Sequence, residues 1–260
     1  MKNFRLYGRA PYTVAVIHGG PGAPGTMAPV ARVLSRSQGV LEPLQSASSL
    51  DEQVQELKEV LHRQAHLPVT LIGHSWGAML SYIFTATNPG YAKKLILVGS
   101  GVFDAAYAGE IAATRLNRLS TEERDTLQAL KKELENPLVT DKDTVFQHCG
   151  ELYSRCDSFD PVPHSSDVVA CQYEISKSVW NDVEQHRRRG NLLSYGRHIP
   201  CPVVAIHGDY DPHPEDGINI PLTRVLRNFR FILLPQCGHC PWIERQAQER
   251  FFEILAEELK

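Results

Sequence analysis

The chain has 260 residues, a formal net charge of −3 and a hydrophobic share of 42%. This length suits one α/β domain or two small ones, and the slightly acidic balance argues against nucleic acid as a partner. No apolar run is long enough to span a bilayer, and the N-terminus lacks the apolar core of a signal peptide. We therefore expect a cytoplasmic protein without a membrane partner.

Short apolar runs bounded by glycine or proline predict buried parallel strands that alternate with helices. These runs are 13–17, 69–72, 95–98, 202–206 and 230–234, with a weaker one at 40–41. Leucine and valine recur at helical spacing over 50–65, where Ser49 and Glu52 resemble a capping box. A C-terminal helix is predicted from the apolar face that runs from Ile243 to Leu259.

The first of these strands is followed by His-Gly-Gly-Pro-Gly at 18–22. A glycine loop in this place can aim backbone N–H groups at an oxygen that becomes negatively charged during a reaction. Pro21 has no N–H group, so Gly20 is the predicted donor. His18 is interpreted as a hydrogen-bonded structural residue.

The next strong strand leads into Gly-His-Ser-Trp-Gly at 73–77, after which an apolar helical segment begins. A strand, Gly-x-Ser-x-Gly and a helix in this order form the context of a nucleophile elbow, a tight turn that exposes a serine hydroxyl. The sequence therefore predicts Ser75 as a nucleophile and the N–H group of Trp76 as a second oxyanion donor. His74 is interpreted as structural.

Strand-like patterns disappear between about 105 and 195. Helices are expected after Ser120, after Asp141 and from Asp167 onward. A helical block between two strands predicts a cap over the site, and caps close pockets and select substrates. Glu174 is the cap residue that we expect to face the pocket.

The last two strands each lead into a loop that carries polar residues. Residues 207–213 read His-Gly-Asp-Tyr-Asp-Pro-His, and residues 236–240 read Gln-Cys-Gly-His-Cys. A serine nucleophile needs a base and an orienting carboxylate, and open α/β sheets place such groups beyond the carboxyl ends of their strands. His239 is the predicted base and Asp211 the predicted acid, with Asp209 as the alternative acid.

Two other patterns in these loops are less favoured. Alternating residues that resemble metal ligands are His207, Asp209, Asp211 and His213, but no second ligand cluster completes a site, so no metal is predicted. The Cys-Gly-His-Cys string matches a redox motif of disulfide isomerases, yet the thioredoxin-like sequence context is missing. The six cysteines are irregularly spaced, and we expect reduced, mostly buried thiols.

With these motifs the chain resembles the α/β-hydrolase fold superfamily. The resemblance implies an α/β fold with a mostly parallel central sheet, helices on both faces and an inserted helical cap. It divides the chain into a core of 1–104 and 196–260 and a cap of 105–195. It also favours Asp211 as the acid, because members place the acid three positions after the glycine that ends the strand, here Gly208.

The loop at 18–22 together with Trp76 is similar to the proline iminopeptidase branch of the superfamily. The chain departs from that branch at His74, where glycine is usual. It also departs at 97–101, which lack the Arg-Gly pair of the branch.

The leading prediction is a serine hydrolase that cleaves an ester or amide bond of a small molecule without a metal or cofactor. An aminopeptidase resembling proline iminopeptidase is the alternative. It requires an acidic cap group for the substrate amine, with Glu174, Glu110 and Glu151 as candidates. A non-enzymatic small-molecule receptor is the third hypothesis, which the presence of Ser75, Asp211 and His239 disfavours.

Overall fold

A single sheet organises the chain, whose structure is a computed structural model that describes residues 3–260. Within these residues the strands are β1 (Phe4–Tyr7), β2 (Tyr12–Ile17), β3 (Gly39–Pro43), β4 (Val69–His74), β5 (Ala92–Val98), β6 (Val203–Gly208) and β7 (Phe229–Leu234). They are ordered β1-β3-β2-β4-β5-β6-β7, and each pair is parallel except β1 with β3. Every predicted strand is present, and β1 is an edge strand that the sequence pattern did not indicate.

Because β2 and β4 to β7 are parallel, their carboxyl ends meet at one edge of the sheet. The register places His74, the last residue of β4, beside Val98, the last residue of β5. Val98 in turn pairs with Ile206 of β6. The loops that carry the predicted site residues therefore leave the sheet next to one another.

Helices cover both faces of the sheet. In chain order they are α1 (Ala28–Leu34), α2 (Leu50–Gln64), α3 (Trp76–Thr87), α4 (Ala108–Arg118), α5 (Thr121–Glu135), α6 (Lys142–Asp157), α7 (Tyr173–Arg188), α8 (Asn191–Ser194), α9 (Asp216–Val225) and α10 (Gln248–Glu258). The β2 side chains Val14 and Val16 belong to one apolar cluster with α1 and α10, whereas Ala15 and Ile17 belong to another with α2, α3 and α9. This alternation buries both faces of the strands, as expected for a parallel sheet between two layers of helices.

The predicted and observed helix starts agree at the three helices that a side chain caps. Ser49 accepts a hydrogen bond from the Glu52 N–H at the start of α2, at 3.3 Å. Ser120 and Glu123 form a reciprocal capping box at the start of α5, and Asp141 caps α6.

Between β5 and β6 the described chain contains helices and irregular segments. The helices of this segment pack in two different apolar clusters. The α5 and α6 helices bury a cluster of their own that includes Leu127, Leu134 and Leu152. The α7 helix instead packs on the main core through Val179 and Val183. The predicted cap of 105–195 is therefore built from two differently anchored parts.

The expected start of the third cap helix at Asp167 is wrong, because α7 begins at Tyr173. The preceding backbone makes other hydrogen bonds: the N–H of Val169 donates to the Pro24 carbonyl, and that of Gln172 donates to the Gly22 carbonyl. These bonds hold an extended segment against the loop that follows β2. The α4 helix was not predicted.

Within 3–260 we find no helix with both the length and the apolar character that crossing a bilayer would require. The six cysteines are free thiols.

Candidate active site

Ser75 occupies a strained turn between β4 and α3. Its backbone has φ of 51° and ψ of −115°, a conformation that non-glycine residues rarely adopt. The flanking glycines are required, because a Cβ on Gly73 would overlap the Gly77 carbonyl and one on Gly77 would overlap the Ile17 carbonyl. The Ser75 N–H donates to the Val98 carbonyl at 2.9 Å, which ties the turn to β5. The local geometry is that of a nucleophile elbow.

The glycine loop after β2 lies against this turn. A Cβ added at Gly19 would lie 2.5 Å from the buried His74 Nδ1 and 3.3 Å from the Ser75 Cβ, so only a residue without a side chain permits this approach. Gly20 has φ of 66°. Within the described residues, the N–H groups of Gly20 and Trp76 donate to no protein acceptor. These are the two N–H groups that the sequence predicts as oxyanion donors.

Asp211 and His239 come together beyond the ends of β6 and β7. The Nδ1–H of His239 donates to Asp211 Oδ2 at 2.7 Å. Burial alone would lower the pKa of His239, but the charge of Asp211 and this hydrogen bond raise it above its ordinary value. The neighbouring imidazoles outweigh burial at Asp211 and hold its pKa well below the usual range. The carboxylate is thus ionised and oriented toward the base.

A second imidazole binds the same carboxylate. The Nδ1 of His213 lies 2.6 Å from Asp211 Oδ1, which also accepts the backbone N–H of His213 at 2.9 Å. The rings of His213 and His239 stack with 4.8 Å between their centroids. Burial lowers the pKa of His213 despite its contact with Asp211. Sequence reasoning treated His213 only as a possible metal ligand, although its place two residues after the acid was the available signal.

The serine and the base are near each other without a direct bond in this structure. The ring of His74, the residue before Ser75, lies 4.7 Å from the ring of His239. Ser75 is partly exposed, and among residues 3–260 its hydroxyl makes no hydrogen bond to His239. Catalytic hydrogen bonds are often long before substrate binds, so this arrangement is compatible with a serine–histidine pair.

Two residues at the ends of β4 and β5 lie against the His239 carbonyl. His74 is buried, and its Nε2–H donates to the His239 carbonyl at 3.0 Å. Gly99 has φ of 49°, and a Cβ there would lie 2.6 Å from the same carbonyl. Burial, with the charge of His239, keeps the pKa of His74 well below its ordinary value. His74 is therefore a neutral structural residue, as predicted.

Asp157, the last residue of α6, and Glu244, which precedes α10, also hold the loop that carries His239. The Asp157 carbonyl accepts the His239 N–H at 2.8 Å. The fully buried Glu244 carboxylate accepts the N–H groups of Gly238, Phe159 and Asp160. Neither residue was singled out from the sequence, because their roles depend on contacts between segments that are far apart in the chain.

The other polar residues of these loops have structural partners. His207 Nε2–H donates to the His213 carbonyl at 2.8 Å, and the exposed Asp209 accepts the Cys237 N–H at 3.2 Å. His18 accepts the Gln45 N–H, and burial lowers the pKa of this imidazole to about 4.

The ligand atoms that could hold a metal belong to Asp211, His213 and His239 and lie within 4.8 Å of one another. This set differs from the one weighed in the sequence, since it contains neither His207 nor Asp209. Both imidazoles already bond the carboxylate through Nδ1, so the cluster is satisfied by its own hydrogen bonds.

The thiols of the Cys-Gly-His-Cys string are poorly suited to redox chemistry. Cys237 is buried, and burial raises the pKa values of both Cys237 and Cys240. Reactive cysteines instead have lowered pKa values, because the thiolate is the attacking form.

A cavity of about 290 Å³ lies under the cap beside the Asp211 cluster. His213 forms part of its wall, as does Trp180 of α7, whose ring is 5.8 Å from that of Trp76. Its lining contains three cationic residues, Arg115, Lys131 and Arg187, and no carboxylate.

Glu174 does not face this cavity. It is exposed in the first turn of α7 and is absent from the lining, so the expectation for this residue has no support in the structure. The buried face of α7 runs through Ser176, Val179 and Val183, and Glu174 lies on the opposite side of the helix. Glu110 and Glu151 are also exposed and outside the lining.

Several solved structures share the fold over nearly the whole chain. VinJ superposes with a TM-score of 0.69 at 16% identity, covering 98% of this chain and 93% of its own. Est816, described as an N-acyl homoserine lactone degrading enzyme, gives 0.67 at 15% identity, covering 98% and 95%. A proline iminopeptidase from Mycobacterium smegmatis gives 0.64 at 18% identity, covering 98% and 93%.

At such identities these likenesses show the fold alone. No curated protein sequence matches the chain significantly. The sequence profile of the alpha/beta hydrolase family, however, matches residues 14–254, from β2 to the last turns of α10. Together with the mostly parallel sheet and the elbow at Ser75, this match shows that the chain belongs to the alpha/beta hydrolase family.

Proposed function

We propose that this chain is a serine hydrolase that cleaves an ester bond of a small molecule. The observation that carries the proposal is the 2.7 Å bond from His239 to Asp211, made next to a strained serine turn. The elbow serine, the acid and the base follow one another along the chain in the order that this fold uses. The proposed mechanism uses no metal or cofactor.

In the first half of the reaction, Ser75 Oγ attacks the carbonyl carbon of the ester while His239 Nε2 accepts the hydroxyl proton. The carbonyl oxygen becomes negative and binds the free N–H groups of Gly20 and Trp76. When the tetrahedral intermediate collapses, the bond to the alcohol oxygen breaks and His239 returns the proton to that leaving group.

In the second half, water attacks the acyl-enzyme with His239 as the base, and the acid product leaves Ser75. Asp211 remains ionised throughout, because it stabilises the imidazolium form and fixes its orientation. Its lowered pKa is what this role requires.

Ser75→Ala tests the proposal directly. Loss of the nucleophile in such a triad lowers kcat on the order of 10⁶-fold, so ester hydrolysis and labelling by a fluorophosphonate should both disappear. Ser81→Ala is the matched control, since Ser81 is a buried serine of α3, the helix that follows Ser75, and its hydroxyl has no partner in residues 3–260. Labelling that persists in Ser75→Ala would contradict the assignment of the nucleophile.

None of the glutamates predicted for the aminopeptidase alternative lines the cavity under the cap. The cavity lining holds cations and no carboxylate, and Glu174, Glu110 and Glu151 are exposed. A substrate ammonium would meet like charges there. We therefore favour an ester substrate, and comparison of aryl esters with aminoacyl arylamides distinguishes the two activities.

A further inference from the structure

The cavity beside the catalytic cluster has an unusual charge distribution. Arg115 of α4, Lys131 of α5 and Arg187 of α7 contribute to its wall, and its carboxylate-free lining is otherwise largely apolar. Arg187 is largely buried, with 9% of its side chain exposed, and Arg115 has 21% exposed. Cations held this far from water are costly unless partners offset the desolvation.

The two arginines are only partly satisfied by their protein partners. Arg115 uses Nε and Nη2 to bind the Asp157 carboxylate. Arg187 uses Nε for the Val102 carbonyl and Nη1 for Glu184. Among the described residues, Nη1 of Arg115 and Nη2 of Arg187 have no acceptor, so each guanidinium keeps a donor for another group.

The protein charges around the cavity do not cancel. Glu184 is shared, because it pairs with Arg188 as well as Arg187. Lys131 forms no ion pair within 3–260, and its ammonium lies 5.9 Å from the centre of the Tyr153 ring. The three lining cations thus have two carboxylate partners, Asp157 and the shared Glu184, which leaves an excess of positive charge.

The cavity adjoins the catalytic cluster through His213. His213 lines the cavity and stacks on His239, which is not itself part of the lining. Asp157 makes a second connection, because its carboxylate binds Arg115 while its backbone carbonyl accepts the His239 N–H. A group held in the cavity would therefore be separated from the catalytic histidine by the ring of His213.

We propose that this cavity binds a free carboxylate on the ester substrate, so that the enzyme prefers small anionic esters over neutral ones. The inference rests on the proposed serine hydrolase function. Charge-assisted bonds from the spare guanidinium nitrogens hold the carboxylate, and apolar residues such as Ile111 and Leu116 contact the short carbon chain next to it. The volume of about 290 Å³ suits a small molecule rather than a long acyl chain.

The test compares two aryl esters that differ in charge alone. The 4-nitrophenyl half-ester of adipate carries a terminal carboxylate, and its carboxamide analogue is neutral and of similar shape. Half-esters of pimelate and suberate test longer separations between the ester and the carboxylate. A charged hydrogen bond predicts that kcat/KM for the best half-ester exceeds that of its carboxamide about tenfold or more.

Matched variants locate the effect. Arg187→Gln should abolish most of the preference, whereas Arg188→Gln removes the neighbouring exposed arginine that shares Glu184 and should preserve it. Because Arg187 is largely buried, Arg187→Gln could fail to fold, and a second pair of variants keeps the inference testable. Lys131→Gln should weaken the preference for the half-ester, and Lys132→Gln should not. Both of these lysines are exposed, so neither change threatens the fold.

The outcomes separate this inference from the proposed function. Equal kcat/KM values for the half-esters and their carboxamides, with Ser75 still labelled by a fluorophosphonate, would overturn the anionic preference and leave the hydrolase intact. Absence of Ser75 labelling would overturn the hydrolase itself. Calorimetry of adipate binding to Ser75→Ala then tests the cavity without catalysis. If the double variant Ser75→Ala with Arg187→Gln binds adipate equally tightly, the proposed carboxylate site is refuted.

Discussion

Asp211 accepts one hydrogen bond from each of two imidazoles, His239 on Oδ2 and His213 on Oδ1. Both carboxylate oxygens are thereby fixed, so the plane of the acid cannot rotate away from the base. The surrounding imidazoles keep this carboxylate ionised, although burial alone would raise its pKa. A solvent-exposed carboxylate such as Asp209 has none of these constraints.

We expect Asp211→Asn to lower kcat by about 10⁴-fold, because the amide favours the wrong histidine tautomer. Asp209→Asn should change kcat by a small factor, since that carboxylate accepts one N–H at the surface. Steady-state hydrolysis of an aryl ester compares the two. Comparable losses in both variants would mean that the acid has been misassigned.

The pH dependence follows from the raised pKa of His239. The imidazole must be neutral to accept the serine proton, so the rate falls as pH decreases through that pKa, which lies above the ordinary 6.5. In Asp211→Asn the charge that raises the pKa is gone while burial still lowers it, so the midpoint should move to lower pH. Fluorophosphonate labelling rates across pH measure this midpoint, and an unchanged midpoint would argue against the coupling.

At the scale of elements, the site depends on close packing between strand ends. Gly99→Ala places a Cβ 2.6 Å from the His239 carbonyl at a residue with positive φ, so the loop after β7 must shift. We expect a loss of tenfold or more in kcat/KM. Gly150→Ala is the control, because its Cβ meets open space in α6 and alanine favours the helix there. Wild-type kinetics for Gly99→Ala would show that the loop tolerates displacement.

The strands and the elbow were predictable because local patterns determine them. Apolar runs such as 69–72 and the glycines at 73 and 77 specify structure within a few residues. The start of α7 was not predictable, because Val169 and Gln172 bond a loop more than 100 residues away in sequence. The second imidazole on Asp211 and the direction of Glu174 likewise depend on tertiary contacts.

At the scale of the whole molecule, Glu244 connects the segment after α6, the His239 loop and the start of the C-terminal helix. Its buried carboxylate accepts three backbone N–H groups. We expect Glu244→Ala to lower the free energy of unfolding by about 3 kcal/mol, because these donors lose their partner in the interior. Urea denaturation measures the change, with the exposed Glu249→Ala as the control. Equal stability of both variants would mean that water replaces the carboxylate.

The separate apolar cluster of α5 and α6 has a consequence for how the molecule opens. Leu127, Leu134 and Leu152 pack with one another rather than with the side chains that cover the sheet. Such a unit can detach as a body while β2 to β7 keep their hydrogen bonds. We therefore expect amide protons of α5 and α6 to exchange with solvent through a partial opening, at a lower free-energy cost than those of the strands. A ligand that bridges Arg115 and Arg187 should slow that exchange.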